Sequence, residues 1–379
     1  MSNYRLVLGL EIHWQPNTTR KMFCRCSTDI WKKEPNTRTC PTCLGLPGAL
    51  PVPNLDAVRK TQLLGIALGC KINERSKFDR KHYFYPDLPK GYQISQYKEP
   101  LCFGGGLGVA ELERIHLEED TAKSIHKNDH TLVNFNTSGM PLIEIVTKPC
   151  FTTVEDAVVF SKSVQKLVRD LGLGDVAMEK GQMRLEPNIS LRTMEMEEKG
   201  ELPQYKVEIK NINSFKFMKK AVKAEINRQT KLLDSGATLM QENRGYNEHT
   251  GTTVSQRSKE SAHDYRYFPE PDIPPMVFDN KYLEDLQNEY ENIKKLVEKS
   301  AANVVINKRD PKELFDTKIS DENELGKLVK EVISVNPDVV KVYKAGKENA
   351  LQFLVGQIMS KTKGRADVKT VLKLFKKSL

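Results

Sequence analysis

Residues 113–126 read ERIHLEEDTAKSIH and residues 136–150 read NTSGMPLIEIVTKPC. Alternating polarity predicts strands for most of this stretch. In and beside it lie many ionisable side chains, namely Glu111, Glu113, His116, Glu118, Glu119, Asp120, His126 and Glu144. Because carboxylates this close repel one another, a cation must lie among them. That cation is either a lysine or arginine side chain or a divalent metal such as Mg²⁺, which takes oxygen ligands.

A second alternating stretch, residues 4–13, predicts a strand near the N-terminus. Its Glu11 and His13 share one face, two residues apart, which is a suitable geometry for binding one metal ion or phosphate. The alternative is a surface glutamate and histidine at a strand end. Glu144 sits on a further predicted strand among apolar neighbours, where a carboxylate needs a partner.

Polar and apolar residues also alternate in two later segments. In QMRLEPNISLR, Arg184 and Glu186 belong to a wholly polar face, which is either a solvated sheet face or the floor of a polar cleft. In VEIK, Glu208 and Lys210 share a strand face. Arg257 precedes a proline-rich stretch and can either bind a triphosphate or pair with acids.

Four of the seven cysteines form two close pairs. Cys24 and Cys26 make a CxC, and Cys40 and Cys43 follow as CPTC. This spacing is typical of a structural zinc site with four thiolate ligands. The alternative is a set of reduced cysteines that holds no metal.

The 379 residues are enough for two or three domains, with 39% hydrophobic and 29% charged side chains. No run of about 18 apolar residues predicts a membrane span, and the first residues lack the layout of a signal peptide. We therefore expect a cytoplasmic protein without membrane contact.

The net charge of +9 favours a polyanionic partner. Residues 361–379 contain seven lysines or arginines and one aspartate, so this basic helix is either a solvated face or a phosphate-binding surface. Composition changes after Pro275: we expect a charged helix over 280–300, a linker over 301–319 and at least three short helices over 320–379.

Eight motifs occur in order between residues 9 and 367: GLEIHWQ, CPTCLGLPGALP, HYFYPDLPKGYQISQY, RIHLEEDTAKSIH, GMPLIEIVTKPC, VEIKNINSF, DYRYFPEPDIPP and GKENALQFLVGQIMSKTKGRAD. With these motifs the chain closely resembles the B subunit of the glutamyl/aspartyl-tRNA amidotransferase. Two motifs differ from those of the family. Its common GSMRCDVN reads GQMRLEPN here, so Leu185 and Glu186 replace a cysteine and an aspartate, and NFNTSG stands where DYNRAG is usual, so Asn134 and Thr137 replace an aspartate and an arginine.

The resemblance implies an α+β fold in three parts. Residues 1–278 would form a cradle domain built on an antiparallel sheet related to glutamine synthetase, with a zinc-binding insertion at 24–43. Residues 279–319 would form a helical segment and linker, shorter than in the family. Residues 320–379 would form a helical tail domain that binds tRNA.

The implied activity is that of a ligase subunit. It uses ATP and Mg²⁺ to phosphorylate the side-chain carboxylate of Glu on tRNA(Gln) or Asp on tRNA(Asn), and ammonia then displaces the phosphate. The implied partners are an amidase A subunit that releases ammonia from glutamine, a small C subunit and the misacylated tRNA. The alternative is a catalytically silent tRNA-binding scaffold of the same fold.

The resemblance also implies roles for individual residues. The catalytic and Mg²⁺ or phosphate positions would be Glu11, His13, Glu119 and Glu144. Glu118 is a rival of Glu119 as a metal ligand, because adjacent strand residues point to opposite faces and the sequence does not decide which faces inward. The candidates for nucleotide or acceptor contacts are Arg184, Glu186, Lys210 and Arg257.

Overall fold

A ten-stranded sheet organises the fold. The computed structural model describes residues 3–210, 212–258, 265–306, 322–344, 349–362 and 368–378. The strands are β1 (Tyr4–Trp14), β2 (Lys71–Ile72), β3 (Arg75–Ser76), β4 (Asp79–His82), β5 (Tyr92–Ser95), β6 (Cys102–Phe103), β7 (Gly106–Leu107), β8 (Ala110–Glu119), β9 (Lys123–His126), β10 (Thr131–Asn134), β11 (Pro141–Thr147), β12 (Met183–Thr193), β13 (Val207–Lys210), β14 (Glu242–Asn247), β15 (Thr252–Ser258), β16 (Phe268–Pro269) and β17 (Met276–Val277).

The helices alternate with these strands and then follow them. They are α1 (Leu55–Ala67), α2 (Val154–Asp170), α3 (Met194–Glu198), α4 (Phe215–Asp234), α5 (Asn280–Ile306), α6 (Glu322–Val335), α7 (Pro337–Lys344), α8 (Asn349–Lys361) and α9 (Val368–Ser378), with a short 3-10 turn at Met178–Lys180. No helix in the described ranges is both long enough and apolar enough to cross a membrane.

The strand order of the large sheet is β15-β14-β13-β12-β1-β11-β8-β6-β2, and β7 pairs with β8 outside this path. Neighbouring strands run antiparallel except β13 and β14, which run parallel. The large antiparallel-rich sheet, together with helices on one side and after it, confirms the mixed α and β class that the sequence predicts.

The two faces of the sheet differ in polarity because side chains alternate along each strand. One face is apolar and fully buried, with Leu8, Leu10, Ile12, Ile115, Leu117, Ile143, Ile145, Leu185 and Ile189 in the main core. Helices α1, α2 and α4 pack on it, against β8, β1 and β12 respectively. The opposite face carries the polar members of the same strands.

Three smaller sheets complete the first part of the chain. Their strand orders are β16-β4-β5, β17-β3 and β10-β9. Between β1 and α1, residues 15–54 form turns and bridges without a helix or a named strand, and this segment contains the four paired cysteines.

The chain divides into two compact units, Met1–Lys294 and Lys295–Leu379. The division falls within α5. The second unit has its own apolar core, formed by Leu325, Val329, Val332, Leu351, Leu354, Ile358, Val371 and Phe375. Four helices, α6 to α9, are described after residue 320.

The helix predicted over 280–300 extends to Ile306, into the predicted linker. Alanines at 301 and 302 favour this continuation because alanine is the strongest helix former. The rest of that linker, including Asp310 and Pro311, lies outside the described residues.

Replacing Ile145 with alanine tests the sheet core. Ile145 is fully buried, and its register partners on the two neighbouring strands are Ile12 and Ile115. We expect Ile145→Ala to lower the free energy of unfolding by about 2–5 kcal/mol, because it leaves a cavity. Chemical denaturation measures the change. Val159→Ala on the exposed face of α2 is the control and should stay within about 0.5 kcal/mol.

Candidate active site in the polar cleft

The polar face of the large sheet forms the floor of a cleft. On β1, Glu11 and His13 point to this face, while Leu10 and Ile12 point to the core. The antiparallel register places His13 opposite Glu144 of β11 and opposite Arg184 of β12. The interpretation of Glu11 and His13 as groups at a surface strand end is therefore wrong.

A first cluster of metal-binding groups contains His13, Glu118 and Glu144, whose ligand atoms all lie within 4.8 Å of one another. The His13 Nε2 atom is 3.4 Å from the nearer Glu144 carboxylate oxygen and 3.7 Å from that of Glu118. His116 approaches the same carboxylates, with its Nε2 atom 3.0 Å from Glu144. The Ser95 hydroxyl donates to Glu118 at 3.2 Å.

The opposite charges of the histidines and the carboxylates stabilise these buried groups. Burial disfavours the ionised Glu144, but His116 and His13 outweigh it and hold the pKa of this carboxyl well below its ordinary value. Burial also disfavours the charged ring of His13, but Glu144 and Glu186 raise its pKa to about 9. In the protein alone, the histidines thus supply the positive charge that the carboxylates require.

A second cluster consists of Glu11, Glu186 and Glu208, again with ligand atoms within 4.8 Å of one another. The Lys210 Nζ atom donates to Glu186 at 2.6 Å and to Glu208 at 2.5 Å. The Asn188 amide donates to Glu11 at 3.0 Å. The three carboxylates come from β1, β12 and β13, so the sheet register brings them together.

The second cluster is short of positive charge. Burial, together with Glu144 and Glu208, raises the pKa of Glu11 to about 7. Although burial works in the same direction on Glu186, the Lys210 ammonium holds its pKa at about 2. One ammonium thus serves two carboxylates, and Glu11 is left with an excess of negative neighbours.

The cleft above these clusters encloses about 490 Å³. Tyrosines form one of its walls: Tyr97 and Tyr267 stack with ring centroids 4.5 Å apart, and Tyr83 meets Tyr265 edge to face. Lys81 lies with its Nζ atom 4.9 Å from the Tyr265 ring centroid. Of the two alternatives for the polar face of β12, the cleft floor is the correct one.

The structure also settles which of two adjacent glutamates faces the cleft. Glu118 lines the cleft, whereas the Glu119 carboxylate points away from it. Glu119 forms an ion pair with Lys90 and accepts a hydrogen bond from the backbone N–H of Ile94 at 3.0 Å. The prediction that Glu119 faces inward with Glu11 and His13 is therefore wrong. Side chains alternate along β8, so only one of the pair can lie in the cleft.

The candidates for nucleotide contacts have different positions. Arg184 lines the cleft and forms an ion pair with Asp120 at 2.9 Å, and Lys210 and Glu186 lie in the second cluster. The backbone of Arg257 pairs with Asn243 on β14, but its side chain lies outside the described residues.

The sequence did not point to several residues of the cleft, among them His116, Glu208 and Lys81. For two of them the signal was present. His116 precedes Glu118 by two residues on one strand, and Glu208 shares a strand face with Lys210, so each lies on the same side as a selected residue. Lys81 gave no such signal, because its short strand belongs to another sheet.

The four paired cysteines come together away from the cleft floor. The Sγ atoms of Cys24, Cys26, Cys40 and Cys43 all lie within 4.8 Å of one another. The Cys40 backbone N–H donates to the Cys43 sulfur at 3.1 Å. A hydrogen bond with Cys24 lowers the pKa of Cys43 to about 5, against the effect of burial and with help from Lys21. Four sulfur atoms this close could bind a metal ion.

Comparison with known proteins identifies the class to which this fold and cleft belong. Residues 6–284 match the family described as the GatB/GatE catalytic domain, and residues 283–379 match the one described as the GatB domain. The first match covers most of the chain and contains both acidic clusters and the four cysteines. The chain belongs to the family of amidotransferase B subunits that these two domains define, as its motifs predict.

Particular relatives agree over nearly their whole length. The chain is 37% identical to the B subunit of the aspartyl/glutamyl-tRNA(Asn/Gln) amidotransferase of Thermodesulfovibrio yellowstonii and to that of Thermus thermophilus, covering 99% of both chains in each case. It is 36% identical to the same subunit of Persephonella marina, covering 98% of this chain and 99% of the relative.

The relatives are longer than this chain. The alignment with the Thermodesulfovibrio protein spans 476 positions, and this chain has 379 residues, so at least 97 of those positions hold no residue of it. This difference agrees with the shortening of the chain that the motifs predict.

Replacing Glu119 tests its assignment to a structural ion pair. The side chains of Glu119 and Lys90 are only 5% and 10% exposed. We expect Glu119→Gln to lower the free energy of unfolding by about 3–5 kcal/mol, because the Lys90 ammonium stays buried without its partner. Denaturant titration measures it. Glu113→Gln makes the same chemical change at an exposed position of β8 and should have an effect within about 0.5 kcal/mol.

Proposed function

We propose that this chain activates and amidates the side-chain carboxylate of Glu on tRNA(Gln), of Asp on tRNA(Asn), or of both. The names of the relatives mention both aspartyl-tRNA(Asn) and glutamyl-tRNA(Gln). The observation that carries the proposal is the pair of acidic clusters side by side on one sheet face, under a wall of tyrosines. Such a site suits phosphoryl transfer, which requires charge neutralisation more than covalent chemistry.

The proposed reaction has two balanced steps. The substrate carboxylate oxygen attacks the γ-phosphorus of ATP, the bond to the β–γ bridging oxygen breaks, and an acyl phosphate and ADP form. Ammonia then attacks the acyl carbon, and phosphate leaves with the electron pair of the carbon–oxygen bond while ammonia loses a proton. The products are the amide, ADP and phosphate.

Both acidic clusters fit a hard divalent cation. One offers two carboxylates and an imidazole and the other offers three carboxylates, all at distances that one ion can span. His13, Glu118 and Glu144 would hold one Mg²⁺, and Glu11, Glu186 and Glu208 would hold a second. Bound there, Mg²⁺ would neutralise charge on the ATP phosphates and on the acceptor carboxylate.

The cleft walls suit the remaining parts of a nucleotide. Tyr97 and Tyr267 present aromatic rings, on which a base can stack. Arg184 and Lys81 supply positive charge on the cleft lining. Burial opposes the charge of Lys81, but Tyr267 and Glu118 raise its pKa above the ordinary value, so it stays protonated. Arg257 is retained as a candidate for a phosphate contact.

The proposed partners follow from the subunit name of the relatives. An amidase A subunit would deliver ammonia to the cleft, and a small C subunit would complete the complex. The helical unit after residue 294 would contact tRNA, which agrees with the seven basic residues between 361 and 379. We also propose that the fold of the sheet domain is related to that of glutamine synthetase.

A catalytically silent scaffold explains the cleft less well. Mutually repelling, buried carboxylates lower the stability of a folded chain unless a cation or a reaction requires them. Five carboxylates form the two clusters, and four of these five are buried. A scaffold gains nothing from keeping them, so the active subunit is the better interpretation.

Amidation of charged tRNA tests the proposal. Purified chain with its amidase partner, glutamine, ATP, Mg²⁺ and Glu-tRNA(Gln) or Asp-tRNA(Asn) should give the amidated aminoacyl group, detected by mass spectrometry. Glu144→Gln should lower the rate at least a hundredfold, about 2.7 kcal/mol in barrier, because it removes a charge that both histidines contact.

Glu113→Gln is the matched control, since it neutralises an exposed glutamate outside the cleft, and it should retain the wild-type rate. Full activity of Glu144→Gln would remove this residue from the mechanism. Failure of the wild-type complex on both tRNAs, with correctly folded subunits, would leave the scaffold as the better interpretation.

We also propose that the four-cysteine cluster binds a structural zinc ion. Zinc with four thiolate ligands is tetrahedral and has no open position, with Zn–S distances of about 2.3 Å. The sulfur atoms of the cluster are near enough to one another for such a site. The ion would fix residues 15–54, which contain no regular helix or strand of their own.

Elemental analysis of metal content tests the zinc assignment. We expect about one zinc per chain in the wild type, and a loss of most of it in Cys40→Ser, because three thiolates cannot complete the site. Cys70→Ser changes an isolated cysteine outside the cluster and should keep the full content. Protein purified without chelators that contains no zinc would contradict the assignment.

A further inference from the structure

Lys21 is a buried cation beside the cysteine cluster. Its side chain is fully shielded from solvent. The Nζ atom donates to the carbonyl oxygens of Ser138 at 2.7 Å and Phe135 at 3.4 Å, and lies 3.7 Å from the Cys43 sulfur. Lysine at such a position is unusual, because a buried charge is costly unless it is paired.

The cysteine sulfur is the group that can compensate this charge. Among the residues that the structure describes, no carboxylate oxygen lies within 4.0 Å of the Lys21 Nζ atom. Carbonyl oxygens offer only partial charges. A divalent metal ion with four thiolate ligands carries excess negative charge, which a neighbouring ammonium stabilises.

The same lysine joins the cysteine segment to a turn at residues 135–140. The Ser138 hydroxyl donates to the Cys43 carbonyl oxygen at 2.8 Å, and the Met22 backbone N–H donates to the Gly139 carbonyl at 2.8 Å. A side chain at Gly139 would place its Cβ atom 3.1 Å from that of Cys43, so glycine permits this close approach. The turn is therefore held against the cysteine segment.

The same turn is hydrogen-bonded to Asp120, which lines the cleft. The Gly139 N–H donates to the Asp120 carbonyl at 2.9 Å, and the Asp120 N–H donates to the Met140 carbonyl at 2.8 Å. The Asp120 carboxylate accepts from Arg184 at 2.9 Å and from Gln15 at 3.0 Å. A short chain of contacts thus leads from Cys43 to Arg184.

We propose that Lys21 is the positive partner of the cysteine metal centre and couples metal occupancy to the Asp120–Arg184 pair in the cleft. Lys21 is a positioning residue, since it is not among the residues that line the cleft. The inference rests on the zinc centre of the proposed function. It assigns the metal a role at the active site in addition to stabilising its own segment.

Metal affinity tests the electrostatic part. We expect Lys21→Met to weaken Zn²⁺ binding about 10–100-fold, as loss of a contact to a metal ligand commonly does. Competition with a chromophoric chelator measures it. Lys21→Arg keeps the charge and should bind Zn²⁺ more tightly than Lys21→Met. Lys33→Met removes an exposed lysine between the cysteine pairs, and it should bind like the wild type.

Hydrogen exchange tests the coupling and needs no variant. When zinc is removed from the wild type by a chelator, the amides of Asp120 and Gly139 should exchange at least tenfold faster. The amides of β14, far along the sheet order, should keep their rates and serve as the internal control. Mass spectrometry of peptides that cover 118–121 and 138–141 reports the change.

The outcomes separate the inference from the zinc assignment. Wild-type zinc affinity in Lys21→Met, or unchanged exchange at Asp120 and Gly139 after zinc removal, would overturn the inference and leave the zinc site in place. A wild type that binds no zinc would overturn both. Neither measurement depends on amidation, so the proposed reaction is judged separately.

Discussion

The antiparallel pairing of β1 with β11 on one side and β12 on the other is the constraint on which the cleft depends. Side chains alternate along a strand, and residues opposite each other across an antiparallel pair share a face. His13 is therefore placed beside Glu144 and Arg184, and Glu11 beside Glu186. A slip of one residue in either pairing would turn these groups into the apolar core, so the packing of the core also fixes the geometry of the cleft.

The two faces of this sheet make opposite contributions to stability. The apolar face buries isoleucine and leucine from neighbouring strands under three helices. The polar face holds carboxylates that repel one another. Seven basic residues line the cleft with them, namely His13, Lys81, Arg114, His116, Arg184, Lys206 and Lys210. A well-packed core can support such a face, which by itself would destabilise the chain. Within the cleft, Glu11 has a local excess of negative neighbours, which together with burial raises its pKa to about 7.

Two regions of the chain lie outside the large sheet, namely the cysteine segment and the helical unit. The cysteine segment has little regular structure, yet its contacts reach the loop that leads into β11 and the residue that follows β8. The helical unit has a separate core, and at least 97 positions of the alignment with the Thermodesulfovibrio relative hold no residue of this chain. Both acidic clusters and the four cysteines lie within residues 6–284, in the part that matches the catalytic domain of the family.

Local patterns in the sequence determined much of this protein. Alternation predicted the strands of Glu11, Glu144 and Glu186 and the faces they share, close spacing predicted the cysteine cluster, and the ordered motifs predicted the family. Tertiary structure alone decided that Glu118 and not Glu119 faces the cleft, and that Glu208 completes the second cluster. Alternation fixes which residues of one strand share a face, but it does not fix where that face points. Only the pairing of strands distant in sequence decides this. The same holds for Lys21, whose two carbonyl partners lie more than a hundred residues away.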